Sequence, residues 1–178
     1  MSSVITVEEF CAILEGSRGV RHELHHGVFV ERRFATKGES ETQRKLVSQL
    51  DRFVSHLGVI GPEFAFRPLP EYEIWVADVV FISRSRVDAI PDDDYLRGAP
   101  ELVIEVLSLT DSAYDVNERE AVCLENGCLE FWVVNAKLKS VKVSTPDRKT
   151  ITYIVGDKIP LSVPATGELA VSEIFSNT

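Results

Sequence analysis

The sequence predicts a single α/β domain over residues 1–178, with a central mixed β-sheet flanked by helices, and three observations carry this prediction. Two near-continuous apolar runs, at residues 73–83 and 100–108, are typical of strands buried on both faces of a sheet. Between residues 40 and 57 the apolar side chains instead recur at helical spacing, as in a helix that packs one face on a sheet. Helical and strand patterns alternate along the chain without a repeat or a linker.

The first expected elements are a short helix and a β-hairpin. Thr6-Val7-Glu8-Glu9 fits a capping box, in which the Thr hydroxyl and the second Glu satisfy each other's free backbone amides. A helix should therefore begin here and end near Gly16. Residues 21–33 then predict two short strands around His26-Gly27, a tight hairpin turn, because glycine accepts a positive φ.

The clearest helix is expected to begin at a second capping box, Ser40-Glu41-Thr42-Gln43, and to stop at Gly58. Its apolar residues share one face: Leu46, Val47, Leu50, Phe53, Val54 and Leu57. After this helix, residues 64–68 predict a short strand that is limited by prolines.

The remaining elements surround and follow the two apolar runs. Residues 83–100 are polar and predict a loop, and residues 115–126, with Gly127 after them, predict a helix. The tail is rich in proline and glycine and predicts irregular structure. Three further strands are expected, at residues 128–135, 138–145 and 150–155.

Composition and charge narrow the class of protein. No apolar run approaches the ~18 residues of a membrane span, and the N-terminus lacks the apolar region of a secretory signal. Cys11, Cys123 and Cys128 follow no metal-ligand spacing and predict small core residues in a reducing cytoplasm. A net charge of −9 disfavours non-specific coating of nucleic acid. A local basic face stays open, because basic residues crowd the first third of the chain: Arg18, Arg21, Arg32, Arg33, Lys37, Arg44, Lys45 and Arg52.

Each buried run carries one acidic residue in its interior, Asp78 in the first and Glu105 in the second. An unpaired buried carboxylate is costly, and two such groups close together raise the pKa of one so that it keeps its proton. A divalent cation between them would remove this cost, and carboxylate oxygens suit Mg²⁺ or Mn²⁺. The alternative is that each carboxylate forms a salt bridge with a core arginine.

Four segments carry a family resemblance when they are taken in order. They are His22-Glu23-Leu24-His25-His26-Gly27, then ADVVFIS ending at Ser83, then ELVIEVLS ending at Ser108, and finally LEFWVVN ending at Asn135 with Gly127 just before it. In this order and spacing they resemble the Uma-type endonucleases, a bacterial family also catalogued as domain of unknown function 820. The resemblance implies a restriction-endonuclease-like core of the PD-(D/E)XK superfamily.

The resemblance also implies a site and its chemistry, which is metal-assisted hydrolysis of a nucleic-acid phosphodiester bond. Asp78 and Glu105 would hold Mg²⁺ or Mn²⁺, with the carbonyl of Val106 as a further ligand. Glu23 would complete the shell or bind a second ion. Arg119 would stabilise the developing negative charge. The implied partners are DNA and a second copy of the chain, as a homodimer in the cytoplasm without membrane association.

The sequence departs from the family pattern at several positions. The position two residues after the second acid is often a lysine in the superfamily, and here it is Leu107. The family instead brings a lysine from the following helix, four residues after an aspartate; Asp115 stands at that aspartate and Arg119 at the lysine. Arginine cannot exchange protons near neutral pH, but its fork of donors can hold a phosphate oxygen. Further departures are Thr42, Ala77, Leu109 and Cys123, where the family has His, Pro, Pro and Tyr.

Two functions therefore stay open. The first is a magnesium-dependent endodeoxyribonuclease. The second is a degenerate, non-catalytic family member that serves as an interaction or DNA-holding module, favoured by Arg119 and by the acidic balance of the chain. Cleavage of plasmid DNA in the presence of Mg²⁺ would separate them.

Two other polar clusters have simpler interpretations. His22 and His26 alternate with His25 along a strand, so the three side chains should not converge on a zinc ion. Residues 92–94 are three aspartates without the glycine and the distal glutamate of a calcium loop, and they predict a solvated acidic loop.

Overall fold

A computed structural model describes residues 4–14, 21–108, 111–161 and 167–175. The predictions that involve Gly16, Arg18 and Leu109 fall outside these residues, as does the side chain of Arg21. The described elements are, in chain order, α1 (Val7–Leu14), β1 (Arg21–His25), β2 (Val28–Arg32), α2 (Lys37–Val54), β3 (Gly58–Arg67), β4 (Trp75–Ser83), α3 (Arg84–Val87), β5 (Leu96–Arg97), β6 (Leu102–Val106), α4 (Ala113–Glu125), β7 (Glu130–Asn135), β8 (Ser140–Ser144), β9 (Thr150–Ile154), β10 (Lys158–Leu161), β11 (Gly167–Ala170) and α5 (Val171–Phe175).

Seven strands form one mixed sheet in the order β5-β3-β4-β6-β7-β8-β9. The pairs β3–β5 and β6–β7 are parallel and the other neighbours are antiparallel. The hairpins β1–β2 and β10–β11 form separate two-stranded sheets. The predicted fold class, a mixed sheet flanked by helices, is therefore confirmed.

Helix α2 covers one face of the sheet and α4 covers the other. On the first face Leu50 of α2 packs with Val79 of β4 and Ile104 of β6. On the second face Cys123 of α4 packs with Val103 of β6. Successive residues of a strand point to opposite faces, so β4 and β6 are buried on both sides, as their apolar runs predict.

The N-terminal expectations are confirmed. The amide of Thr6 donates to Glu9 Oε2 at 2.8 Å and the amide of Glu9 donates back to Thr6 Oγ1 at 3.3 Å, which is the predicted capping box of α1. The hairpin β1–β2 turns at His26 and Gly27, whose φ angles are 50° and 72°. Two consecutive positive φ angles match the right-handed twist of the flanking strands.

The predicted start of α2 is wrong. The helix begins one turn earlier, because Thr36 and Glu39 form the capping box: the Thr36 amide donates to Glu39 Oε2 at 2.7 Å and the Glu39 amide donates to Thr36 Oγ1 at 3.4 Å. Ser40 then lies inside the first turns, where its amide donates to the Thr36 carbonyl. Two consecutive stretches, residues 36–39 and 40–43, fit the same motif, and the ion pair of Arg33 with Glu39 at 2.6 Å favours the earlier one.

The predicted roles of Gly58 and of the strand after it are also wrong. Helix α2 ends at Val54, and Gly58 is the first residue of β3, a strand of ten residues rather than five. A Cβ at Gly58 would overlap the carbonyl oxygen of Ile82 on β4, so this close approach requires glycine. Pro62 lies inside β3 because β5 pairs only with the far end of that strand, which leaves Pro62 on an open edge.

The structure also corrects the two regions that were expected to be irregular. The predicted loop at residues 83–100 contains the short helix α3 and the two-residue strand β5. In the tail, β10 and β11 pair through four residues each and α5 follows directly. Ile159, Leu169 and Ile174 of this segment are buried against the face that α2 covers, so apolar burial orders a proline-rich tail.

In the ranges given above, no helix is both long enough and apolar enough to cross a bilayer.

The corrected capping box generates a prediction. Thr36→Ala removes the side-chain acceptor at the start of α2 and should lower the free energy of unfolding by about 1 kcal/mol. Ser40→Ala is the matched control, since a position inside the helix should tolerate alanine without loss. Urea denaturation of both variants measures the difference. Equal destabilisation by the two substitutions would contradict the assignment of Thr36 as the N-cap residue of α2.

Candidate active site in an acidic cleft

A cleft of about 610 Å³ opens where the hairpin β1–β2, the ends of β4 and β6, and α4 meet. All five residues predicted for the site line it: Glu23, Asp78, Glu105, Val106 and Arg119. Its lining carries far more acid than base, with the carboxylates of Glu23, Glu31, Glu39, Glu63, Asp78, Glu105, Asp111, Asp115 and Glu118 against the guanidinium groups of Arg32, Arg33 and Arg119. An anionic substrate meets a negative potential here unless cations reduce it.

The pairing of β4 with β6 places the two interior acids side by side. Val79 pairs with Ile104, and one residue further along each strand lie Asp78 and Glu105. Ile104 packs in the core under α2, so by alternation Glu105 points to the opposite face, towards α4. Asp78 lies just beyond the last paired residues, where its side chain meets Gln43 of α2 and the Val106 amide of β6. The expectation that these two strands are neighbours is confirmed.

Glu105 is a buried acid without a hydrogen bond to one of its oxygens. The residue is 8% exposed, and Oε1 has no hydrogen-bond partner in the described part of the chain. Arg119 Nε lies 3.2 Å from Oε1 without hydrogen-bond geometry, so the contact is an ion pair only. Burial raises the pKa of Glu105 to about 8, and the charge of Asp78 adds to this increase while Arg119 opposes it.

Asp78 is better supplied with donors. Its Oδ2 accepts the amide of Val106 at 2.7 Å, and its Oδ1 accepts Gln43 Nε2 of α2 at 3.0 Å. Arg32 Nη2 approaches Oδ1 at 3.5 Å. Burial nevertheless raises the pKa of Asp78 above its ordinary value, against the opposing effect of the Val106 amide and the arginines.

Glu23 is surrounded by donors. Its Oε1 accepts Arg32 Nη1 at 2.8 Å, the Val76 amide at 2.6 Å and Arg119 Nη2 at 3.1 Å. Its Oε2 accepts His25 Nε2 at 2.7 Å and Arg119 Nη1 at 3.2 Å. Burial alone would raise the pKa of Glu23, but Arg119, His25 and Arg32 lower it to about 2. Glu23 is thus an anion whose lone pairs are already in use.

Arg119 extends from α4 into the cleft and points at Glu105, as expected. Its guanidinium contacts Glu23, Glu105 and the carbonyl of Val76, at 3.1 Å for the last, and it lies 5.2 Å from the centre of the Trp75 ring. Asp115 is not among these contacts, so the ion pair that one helical turn would allow is not the one that orients Arg119.

Arg32 and Gln43 also line this site, although neither was predicted from the sequence. The register of the hairpin could have revealed Arg32, because Val30 pairs with Glu23 and Arg32 lies two residues further along the same face. Three other basic residues of the first third are paired on the surface: Arg33 with Glu39, Lys37 with Glu41 and Arg52 with Glu173.

The carboxylates of the cleft suit a magnesium ion, which needs few protein ligands, better than a metal ion that is held entirely by protein side chains. Among the described residues no three His, Cys, Asp or Glu side chains are arranged to hold a metal. Magnesium usually takes one or two carboxylates and keeps several waters, which Asp78 and Glu105 could satisfy. The unpartnered Glu105 Oε1 is the observation that favours a cation at this position.

The raised pKa of Glu105 generates a prediction about pH. The folded protein holds a proton that the unfolded chain releases near pH 4.5, so the free energy of unfolding falls as the pH rises from 4.5 to about 8. Glu105→Gln cannot lose this proton. In the absence of metal it should match the parent below about pH 4.5 and be more stable by about 1–4 kcal/mol above about pH 8.

Chemical denaturation in a chelating buffer across this pH range measures the effect. Glu41→Gln is the matched control, since its carboxylate lies on the exposed side of α2 beside Lys37 and should leave the pH dependence of the parent unchanged. Parallel pH profiles for the parent and Glu105→Gln would refute the assignment of a proton to Glu105.

Comparison with known proteins agrees with this architecture. A family model named Uma2, described as "Putative restriction endonuclease", matches residues 7–172. A crystal structure of "a putative nuclease belonging to DUF820" from Anabaena variabilis has a similar fold, with a TM-score of 0.78 over 96% of this chain and 97% of that chain at 21% sequence identity. No curated protein sequence is significantly similar to the chain. The resemblance inferred from four short segments is confirmed, and the chain belongs to the Uma2 family of restriction-endonuclease-like proteins.

Proposed function

We propose that the protein is a metal-dependent endonuclease that hydrolyses phosphodiester bonds of DNA, with Mg²⁺ or Mn²⁺ as its cofactor. The observation that carries the proposal is Glu105 Oε1, a buried oxygen that accepts no hydrogen bond from the described residues, has Arg119 only as an ion-pair partner, and lies beside Asp78 in an open cleft. Membership of a family described as restriction endonucleases supports the same function.

The metal ligands in this proposal are the carboxylates of Asp78 and Glu105 and the carbonyl of Val106. Held by these groups, Mg²⁺ would supply Lewis acidity to a phosphoryl oxygen and to a coordinated water. Asp78 is held for this role from two sides, by the Val106 amide of β6 and by Gln43 of α2. Glu105 is held by burial in β6, one residue before Val106.

Arg119 is the group that would contact the substrate. Its guanidinium stays charged at neutral pH, so it can stabilise negative charge on a phosphate oxygen but cannot take a proton from water. No lysine lines the cleft in the described part of the chain, so the proton of the attacking water would leave to solvent rather than to a lysine.

The charge of the cleft adds a requirement. Nine carboxylates against three arginines would repel a DNA backbone. DNA binding, and not only cleavage, should therefore depend on the divalent cation, because the cation would offset this charge and contact the phosphate.

The ion pairs within the cleft favour a second candidate function. Arg119 pairs with Glu105 and Glu23, and Arg32 pairs with Glu23 and approaches Asp78, so two arginines already offset much of the charge that a metal would offset. This is the salt-bridge alternative of the sequence analysis. It would suit a non-catalytic interaction or DNA-holding module.

Other parts of the proposal extend the family resemblance. We expect residues 1–178 to act as one domain and the chain to form a homodimer in the cytoplasm without membrane association. Size-exclusion chromatography with light scattering measures the oligomeric state.

Asp78→Asn tests the metal site. Because the pKa of Asp78 is raised, its ionised form opposes folding, so the variant should be as stable as the parent or more stable without metal. It should also lose the rise in melting temperature that Mg²⁺ gives the parent. Thermal melts with and without Mg²⁺ measure both effects. A variant that keeps the full response to Mg²⁺ would rule Asp78 out as a ligand.

Substitutions of Arg119 test catalysis and separate the two functions. Arg119→Lys supplies a group that can exchange protons and should raise metal-dependent nicking of plasmid DNA. Arg119→Ala should lower it by about 10²–10³-fold, since it removes a contact to transition-state charge. Stabilisation by Mg²⁺ without nicking in the parent and in Arg119→Lys would favour the non-catalytic module.

A further inference from the structure

We propose that Arg32 is a second phosphate-binding residue of the cleft and that Glu23 is a positioning residue that aims Arg32 and Arg119 together. This inference rests on the proposed nuclease function and extends it to the way the substrate phosphate is held. It differs from the expectation that Glu23 is a metal ligand.

The contacts of Glu23 argue against metal ligation. A carboxylate offers about four acceptor sites, and the two oxygens of Glu23 already receive donors from Arg32, Arg119, His25 and the Val76 amide. A metal ligand must keep a lone pair for the ion, as Glu105 Oε1 does. Glu23 keeps none free of a donor within 3.2 Å.

The two arginines converge because they share this one anchor. Arg32 reaches Glu23 from β2 and Arg119 reaches it from α4, and both also donate to the carbonyl of Val76. Two guanidinium groups fixed on one carboxylate present their remaining donors in a set geometry. Planar forks of this kind match the oxygens of a phosphate, which a single flexible lysine does not.

Arg32 has donor capacity left for a substrate. Its Nη1 is anchored to Glu23 at 2.8 Å, whereas among the described residues its Nη2 contacts only Asp78, at 3.5 Å. The side chain is 25% exposed and lines the cleft, compared with 12% for Arg119. Because Nη2 carries two N–H donors, the one that is not directed at Asp78 can donate to a phosphate oxygen while Nη1 keeps the side chain in place.

This arrangement predicts opposite effects on two kinds of binding. Removing Arg32 takes a competing positive charge away from Asp78, so binding of the metal alone should be retained or improved. Removing Arg32 also takes a donor away from the phosphate, so binding of DNA should weaken. A residue with only a structural role would change both in the same direction.

The experiment compares Arg32→Gln, Arg32→Lys and the control Arg44→Gln in the full chain. Arg44 lies on the exposed side of α2, outside the cleft, and its substitution by Gln removes the same charge as Arg32→Gln. The readouts are the shift of the melting temperature with Mg²⁺ alone and the affinity for a short labelled DNA duplex in Mg²⁺. We expect Arg32→Gln to keep the Mg²⁺ shift and to lose at least about tenfold in DNA affinity. Arg32→Lys should recover part of the affinity, and Arg44→Gln should change it by less than about threefold at moderate salt.

Glu23→Gln tests the positioning role. If Glu23 aims the arginines, this variant should keep the Mg²⁺ shift and lose DNA affinity like Arg32→Gln. Loss of the Mg²⁺ shift in a variant that melts cooperatively without metal would make Glu23 a ligand and overturn this part of the inference.

The outcomes separate this inference from the proposed function. If the parent nicks DNA while Arg32→Gln binds and nicks as the parent does, the inference fails and the nuclease remains. If the parent binds DNA with Mg²⁺ through Arg32 but does not nick it, the phosphate site stands and the nuclease proposal fails. If the parent neither binds nor nicks DNA in Mg²⁺, both are overturned.

Discussion

The carboxylate of Glu23 lies where three parts of the fold meet, and the geometry of the cleft depends on how its charge is compensated. It joins the hairpin to α4 through Arg119 and to β4 through the Val76 amide. Breaking such a buried pair leaves an uncompensated charge, which costs about 3–5 kcal/mol. Glu23 therefore fixes the distance between hairpin and helix, and so the width of the cleft between them.

The same network explains why the acids of β4 and β6 differ in character although they are neighbours. Asp78 has an amide and a side-chain donor, whereas the free oxygen of Glu105 has only the ion pair with Arg119. Nη1 and Nη2 of Arg119 donate to Glu23 and the Val76 carbonyl, so it is Nε that faces Glu105, without hydrogen-bond geometry. The least satisfied acceptor of the cleft is thus a result of competition between two carboxylates for one guanidinium.

The sequence was most informative where a residue conflicted with its surroundings. An acid inside an apolar strand cannot be explained by surface exposure, so Asp78 and Glu105 could be found without a structure. Arg32 offers no such conflict, because an arginine in a short hairpin strand looks like any exposed residue until the register with Glu23 is known. The start of α2 could not be predicted for a related reason: Thr36 and Ser40 both fit the motif, and an ion pair with Arg33 decides between them. The ordered tail escaped prediction because burial against α2, rather than local propensity, forms β10 and β11.

The attachment of the hairpin β1–β2 has a consequence for local stability. The hairpin lies outside the seven-stranded sheet. Its backbone joins the segment before β4 through the Leu24–Ile74 bridge, with hydrogen bonds of 2.9 and 3.0 Å, and through the Gly27 amide, which donates to the Tyr72 carbonyl at 2.9 Å. An opening of this hairpin as a unit would cost less than global unfolding, as is common for small supersecondary pieces. Glu23 and Arg32 would leave the cleft together in such an opening, while Asp78, Glu105 and Arg119 would remain on the sheet and α4. Such an opening would take the complete site apart, so a ligand that bridges Arg32 to the sheet should slow amide hydrogen exchange in the hairpin first.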